Sequence, residues 1–270
     1  MNLFNVENKV VVITGGGGIL GGEMAGYLLE NGATVLILDY KQEIVNNAIS
    51  NLKKTSDKVA GFVCDVLDEK SLQKVAEEIT QQFNKIDVLI NAAGGNMPGA
   101  TIGENQSIFD VTIDDFKKVV DLNLFGSVLP ALVFGKAMVN NKQGVIINIS
   151  SMTAQIAITR VVGYSASKAA IDNFTKWLSV ELALKFGDGL RVNAIAPGFF
   201  IGNQNRDLLI NKDGSYTDRG NTIIKNTPMK RFGEAEELNG SIHYLCSDAS
   251  KFVTGVVIPI DGGFSAFSGV

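Results

Sequence analysis

Hydrophobic and polar positions along the chain follow two alternating periods. Short runs rich in β-branched residues lie at 9–14, 34–39, 58–64, 86–91, 144–150, 190–196 and 255–260, and they predict seven strands. Between them apolar residues recur at helical spacing with charges interposed; Leu72, Val75, Ala76, Ile79 and Phe83 form one such face. Strand followed by helix, repeated in one direction, predicts an α/β fold: one doubly wound sheet of seven parallel strands with helices on both faces. No Pro-rich or Ser-rich linker interrupts the alternation, so residues 1–270 read as a single domain.

Two helices are predicted to be longer than the rest, at 112–141 and 163–186. Pro130 is expected to kink or divide the first, because it has no amide proton and its ring crowds the preceding turn. The apolar content of both exceeds what one sheet face needs, which leaves room for a helix-to-helix subunit contact beside ordinary core packing. The polar stretch 199–229, with Asn203, Gln204, Asn205, Arg206, Asp213, Arg219 and Lys225, breaks the pattern. A segment of that length inside a compact domain is expected to be a substrate lid or a disordered loop.

Composition narrows the chemistry. With 24 basic and 28 acidic side chains and a formal charge of -4, the chain offers no general attraction to nucleic acid or an anionic membrane, so a small-molecule substrate is expected. No run approaches 18 uninterrupted apolar residues, and the apolar run after Lys9 is too short for a signal peptide, so no membrane association is expected. Cys64 and Cys246 have no Cys-x-x-Cys spacing and read as reduced thiols in a cytoplasmic protein. A single histidine, His243, excludes a His-based metal site and a Ser-His-Asp triad. No metal is expected, and a general acid must be Tyr, Lys, Asp, Glu or Cys.

Tyr164 and Lys168 are the candidates for that role, with a solvated helix pair as the alternative. Four residues make one helical turn, which puts phenol and ammonium on one face. The positive charge is expected to favour the phenolate and pull the tyrosine below its usual value of about 10. Ser151, thirteen residues upstream, adds a hydroxyl, and the neighbouring Ser150 reads as structural. Upstream, Thr14-Gly15-Gly16-Gly17-Gly18-Ile19-Leu20-Gly21 follows a strand and opens a helix. Gly16, Gly18 and Gly21 satisfy Gly-x-Gly-x-x-Gly, which lets the backbone approach a pyrophosphate at the helix N-terminus. Asp39, eighteen residues past Gly21, is placed to bind an adenosine ribose and to repel a 2′-phosphate. NAD(H) is therefore preferred over NADP(H), with capping of the next helix as the alternative role for Asp39.

In their order and spacing, the glycine loop, Ser151 and Tyr164 to Lys168 resemble the short-chain dehydrogenase/reductase family over essentially the whole chain. The resemblance implies a Rossmann-like fold and hydride transfer between NAD(H) and a carbonyl or secondary alcohol. It adds Asn91-Ala92-Ala93-Gly94 as a sheet-end motif, Asp65 with Val66 beside the adenine, Asn123 as a catalytic residue holding a water, and Pro197-Gly198 beside the nicotinamide. Gly15, Gly17, Gly18, Ile19, Leu20 and Gly21 would meet the pyrophosphate, and Tyr164 and Lys168 would contact the cofactor as well as the substrate. It further implies a homo-oligomer, a tetramer. One position departs from the family pattern: Ile19 stands where the loop's second glycine is usual. A β-branched residue resists positive φ, so the turn is expected at Gly17 or Gly18 instead.

Within the family the chain is similar to the D-mannonate oxidoreductase (fructuronate reductase) type at residues 14–22, 94–96, 198–206 and 261–270. That likeness implies a sugar acid, whose carboxylate needs a cation and whose hydroxyls need hydrogen-bonding partners. Arg160 and Arg206 are the candidate clamps, and Asn96 and Asn205 the candidate hydroxyl partners; a plain salt bridge is the alternative role for each arginine. Other readings stay open: a dehydrogenase of another polyol or keto-gluconate, a 3-ketoacyl-carrier reductase, which Asp39 and the acidic pI of 5.2 disfavour, and a non-catalytic NAD(H) sensor.

Overall fold

The structure is a computed structural model that describes residues 2–202 and 205–269. Its strands are Val10–Thr14 (β1), Thr34–Asp39 (β2), Val59–Val63 (β3), Val88–Asn91 (β4), Gly144–Ile149 (β5), Leu190–Pro197 (β6) and Val257–Ile260 (β7). Among the described residues they form one parallel sheet of order β3-β2-β1-β4-β5-β6-β7. Strand ends move from their expected places by two residues at most. Alternate side chains of β1 divide between the two faces: Val11 and Ile13 enter one apolar layer, Val10 and Val12 the other.

Helices Ile19–Glu30 (α1) and Gln42–Leu52 (α2) cover the first layer through Met24, Leu28 and Leu52. Glu69–Phe83 (α3) covers the second with the predicted stripe of Leu72, Val75, Ala76 and Ile79, and Asp68 caps it by accepting from the Lys70 and Ser71 amides. The chain builds β1, β2 and β3 outward, then crosses back to place β4 on the other side of β1. That reversal opens a crevice beyond the strand C-termini, where ligands bind in folds of this kind.

The stretch expected as one helix at 112–141 consists of Ile113–Val120 (α4), a π-helical segment Asp121–Phe125 and Gly126–Asn141 (α5). Pro130 lies inside α5 without ending it. The irregularity sits just before Gly126, whose carbonyl is the one left unbonded by the missing Pro130 amide. Within residues 113–141 an 18-residue window with a mean hydropathy of 1.6 has the length and composition to cross a membrane, which the count of uninterrupted apolar residues did not register. Here the stretch packs on α3 and the sheet, with Ala131, Phe134 and Met138 in the core. The second long helix, Val162–Phe186 (α6), matches its expected span.

Of the two expectations for 199–229, a substrate lid or a disordered loop, the structure corrects the second. The segment contains helices Arg206–Leu209 (α7) and Asp218–Asn226 (α8), and Leu209 and Ile223 pack with Phe232 in a small apolar cluster. The Thr217 hydroxyl caps α8 by accepting from the Gly220 amide at 3.1 Å. The apolar positions are too few and too widely spaced to signal helices in sequence. Asn203 and Gln204 of the expected lid lie outside the described residues.

Asn239–Cys246 (α9) carries His243, whose Nδ1 meets the Tyr27 hydroxyl at 3.1 Å and whose Nε2 meets the Phe4 carbonyl. The single histidine thus fastens the N-terminal segment. Both cysteines are buried, and burial pushes the Cys246 thiol up to about 12, which makes it inert.

Candidate active site

The site starts where β1 ends. Gly15 takes the turn at φ +63°, and a Cβ there would lie 2.8 Å from Ala93 backbone atoms. This corrects the expectation of a turn at Gly17 or Gly18: Gly18 has an extended backbone (φ -78°, ψ 171°), and Ile19 opens α1 in helical geometry. Ile19 therefore carries no strain in place of a glycine. The first-turn amides of Ile19, Leu20 and Gly21 have no partner within the helix and form a ready anion site. A Cβ on Gly21 would come within 2.4 Å of the Gly15 carbonyl oxygen, so the loop closes only with glycine there.

Asp39 ends β2 facing this loop. Its carboxylate accepts from the Gly17 amide at 3.3 Å and from its own neighbour Tyr40 at 2.9 Å. It does not cap α2, whose cap residue is Lys41 with no side-chain bond. Burial pushes the Asp39 carboxyl up, opposed by those two amides. Asp65 follows β3 on the same sheet edge, exposed and accepting from the Leu67 amide at 2.9 Å, and Val66 beside it is buried.

The next strand end is held from within. Thr14 Oγ1 accepts from the Ala92 and Ala93 amides, each at 3.2 Å. Asn91, expected among the cofactor contacts, turns its side-chain amide inward: Nδ2 donates to Asn148 Oδ1 at 2.9 Å and to the Ser127 carbonyl at 3.2 Å, while Oδ1 is buried without a partner. Asn148 passes the chain on to Thr175 of α6 at 2.8 Å. Gly94 leaves room for two functional groups, since a Cβ there would lie 2.8 Å from Asn123 Oδ1 and 3.5 Å from Lys168 Nζ.

Asn123 sits in the π-helical segment, fully buried. Its Oδ1 accepts from the Gly95 amide at 3.0 Å, and its Nδ2 donates to the Gly95 and Val119 carbonyls at 2.7 and 2.8 Å. Both amide protons are thereby used inside the protein. The side chain fixes the loop after β4; only acceptor positions remain for the expected water.

Ser151, at the end of β5, faces the first turn of α6. Lys168 Nζ donates to the Ile149 carbonyl at 2.7 Å and lies 5.4 Å from the centre of the Tyr164 ring. Burial holds the ammonium down to about 8, against the pull of Asp172. Burial also pushes the Tyr164 phenol up, with the Ser151 hydroxyl opposing. The expected lowering of the phenol is therefore reversed: desolvation outweighs an ammonium that points at Ile149. Ser150 is structural, its hydroxyl donating to the Asp172 carboxylate. Asp172 was missed in sequence, although Lys168, Asp172 and Lys176 lie four apart on one helix face.

Pro197 and Gly198 close β6 against the C-terminal segment; the Gly198 amide donates to the Ile260 carbonyl at 2.8 Å, and a Cβ there would meet Asp261 Cα at 2.6 Å.

The expected substrate residues have unequal fates. Asn96 Nδ2 donates to Thr101 Oγ1 at 2.5 Å, while its Oδ1 is buried without a partner. Asn205 is committed to its own turn, accepting from the Gly202 amide at 2.8 Å and donating to the Phe200 carbonyl at 2.9 Å. Arg206 is exposed at the start of α7. Arg160 Nε donates to the Ile102 carbonyl at 2.6 Å, and the guanidinium beside it belongs to Arg219 of α8. No sequence signal distinguished Arg219 from the other polar residues of its segment.

Comparison with known proteins agrees with this geometry. A family model described as Enoyl-(Acyl carrier protein) reductase matches residues 18–265. An uncharacterized oxidoreductase of Bacillus subtilis, UxuB, is 45% identical over 275 residues, 98% of each chain. A 2-dehydro-3-deoxy-D-gluconate 5-dehydrogenase of Formosa agariphila is 32% identical over 271 residues, 100% of this chain and 97% of its own. A crystal structure from Haemophilus influenzae, provisionally assigned as a D-mannonate oxidoreductase and holding bound NAD, superposes with a TM-score of 0.91 at 42% identity over 98% of each chain.

Proposed function

The chain belongs to the short-chain dehydrogenase/reductase family, oxidoreductases acting on CH–OH groups, and we propose that it interconverts a keto sugar acid of the fructuronate type and its alcohol, mannonate, with NAD(H). The observation that carries this reading is the Ser151, Tyr164 and Lys168 group set beside a glycine loop that Asp39 faces. The residues present fit a dinucleotide: three unpaired amides at the start of α1 suit a pyrophosphate, and the close approaches at Gly15, Gly17 and Gly21 leave space no side chain could share. When bound, the nicotinamide supplies hydride-transfer chemistry.

The protein's own task is to bind the substrate and move a proton. Ser151 holds the carbonyl oxygen by hydrogen bonding, and Tyr164, which burial keeps protonated at neutral pH, donates its proton to that oxygen. Lys168 is the buried cation that favours transient phenolate, and a bond to Ile149 fixes its position. Asn123 keeps the Gly94-Gly95 backbone open around Lys168. In the oxidative direction the same groups act in reverse.

A homotetramer in the cytoplasm completes the proposal. Trp177, Val180 and Leu184 form an exposed apolar face on α6, and Phe125 and Leu132 add exposed apolar side chains on the other long helical stretch. Two buried, unpaired thiols suit a reducing compartment.

Wild type and Asp39→Ala assayed with D-fructuronate and D-fructose, each with NADH and NADPH, test the reading. Wild type is expected to favour NADH and the acid. Removing the Asp39 charge is expected to narrow the NADH preference by about 10-fold or more, the scale of one lost charge-assisted contact and one relieved repulsion. Equal use of NADPH by wild type contradicts the assignment of Asp39.

A further inference from the structure

We propose that Arg160 and Arg219 together form a carboxylate-binding clamp that joins the lid helix α8 to the segment leading into Tyr164. The proposal rests on the sugar-acid reading for the identity of the ligand, and it adds a residue that neither the motif pattern nor any expected salt bridge supplies.

The arrangement is unfavourable as it stands. Arg160 has φ +78°, a left-handed backbone that is unfavourable for a residue with a Cβ. Two hydrogen bonds to one residue hold it there: the Ile102 amide donates to the Arg160 carbonyl at 2.9 Å, and Arg160 Nε donates to the Ile102 carbonyl at 2.6 Å. Arg219 reaches across from α8 to the adjacent residue, donating to Thr159 Oγ1 at 3.3 Å and to the Thr159 carbonyl at 3.4 Å. Arg219 is thus tied to the residue next to Arg160, whose own guanidinium is held on Ile102. Among the described residues the ion pairs are Lys9–Asp248, Lys85–Asp87, Lys118–Asp115 and Arg231–Glu237, so neither arginine has an acidic partner. In a chain with more acids than bases, that is a built concentration of positive charge. Burial and the Arg160 charge both push the Arg219 guanidinium down from its ordinary value, which is the direction two uncompensated cations produce.

The clamp also stands in the right place. Arg160 precedes Tyr164 by four residues, so their Cα atoms are at most about 15 Å apart along the chain. Ile102 belongs to the loop that runs from Gly94 and Gly95, which Asn123 holds, past Asn96 with its unpartnered buried oxygen. Three segments therefore meet at the arginine pair: the loop after β4, the approach to α6 and the lid. A carboxylate bridging two planar donor forks would remove the repulsion and draw α8 onto the site.

The test uses wild type, Arg219→Gln, Arg219→Lys and Arg160→Asn, the last because Asn tolerates the left-handed backbone. Two readouts are taken: KM and kcat for D-fructuronate and D-fructose, and calorimetric binding of D-mannonate and D-mannitol to the NADH-loaded protein, in which no turnover can occur. Arg219→Gln and Arg160→Asn are expected to raise the KM for fructuronate and the Kd for mannonate about 10-fold or more, with kcat and fructose turnover little changed and Arg219→Lys intermediate. If wild type prefers the acids and both neutralised variants keep that preference, the clamp is overturned and the sugar-acid reading stands. If wild type binds no sugar acid yet loses affinity for acetoacetate on Arg219→Gln, the clamp stands and the sugar reading falls. A lower KM for fructose 6-phosphate than for fructuronate in wild type overturns the carboxylate assignment.

Discussion

Tyr164→Phe is expected to lower kcat for keto-acid reduction by about 10³-fold, within the range for loss of a general acid, while NADH binding stays near wild type. Burial raises the phenol, so at neutral pH Tyr164 holds its proton and is poised to give it to a carbonyl oxygen that gains negative charge. Phenylalanine keeps the ring, and with it the packing over Lys168 Nζ at 5.4 Å, but has no proton to give. The loss should therefore fall on kcat rather than on cofactor affinity. Fluorescence titration with NADH and steady-state assay of the same preparation check both halves. Near-normal turnover by a folded, NADH-binding Tyr164→Phe would remove the tyrosine from the mechanism.

Lys168→Met is expected to lose a comparable share of activity and, at the same time, to raise the stability of the cofactor-free protein. Burial holds the ammonium at about 8, against 10.5 in water. A gap of that size corresponds to roughly 3 kcal/mol of destabilisation at neutral pH. Methionine fills similar space without a charge, but it leaves the Ile149 carbonyl without its 2.7 Å donor, which costs about 1–2 kcal/mol. A net gain on the order of 1–2 kcal/mol should remain. The pH dependence carries a sign that can be checked. Because the folded value lies below the unfolded one, the unfolded chain binds more protons between about 8 and about 10.4, so wild-type stability gains a rising contribution across that window. Below it the cost is fully present. Denaturant midpoints for wild type and Lys168→Met should therefore converge as pH rises from 8 to 10; a variant less stable than wild type at pH 7 would show that the lost Ile149 bond outweighs the cost of burying the ammonium. The same burial that makes the lysine costly makes it an effective counter-charge for a transient phenolate, so stability and catalysis pull in opposite directions at this position.

The sheet was legible because buried parallel strands are dense in β-branched residues, as in Val10 to Ile13 and Thr34 to Leu38, and such runs admit few other readings. The pairing of Tyr164 with Lys168 was legible because one helical turn relates them, and the ammonium lies 5.4 Å from the ring centre. What sequence could not show was the balance of opposing effects on each group. Charge proximity alone suggested a lowered phenol, whereas burial, known only from the fold, reverses the direction. The turn at Gly15 was hidden by a run of four glycines, any of which tolerates positive φ; only the closeness of Ala93 to Gly15 and of Ile44 and Asp39 to Gly17 separates their roles. Asn91 and Asn205 carry the polar groups a ligand would want, yet both meet internal backbone or side-chain partners first. Arg219 was obscured by a polar segment whose two short helices leave little periodicity to detect.

Hydride transfer at this site is tested most directly by a single turnover in which NADH-loaded protein is mixed with excess D-fructuronate at neutral pH and the absorbance of the reduced nicotinamide is followed. Wild type is expected to lose that absorbance rapidly, and Tyr164→Phe about 10³-fold more slowly. Absorbance that persists in wild type with fructuronate, with other keto sugar acids and with neutral ketoses would contradict hydride transfer at this site and leave a protein that binds the dinucleotide without turning it over.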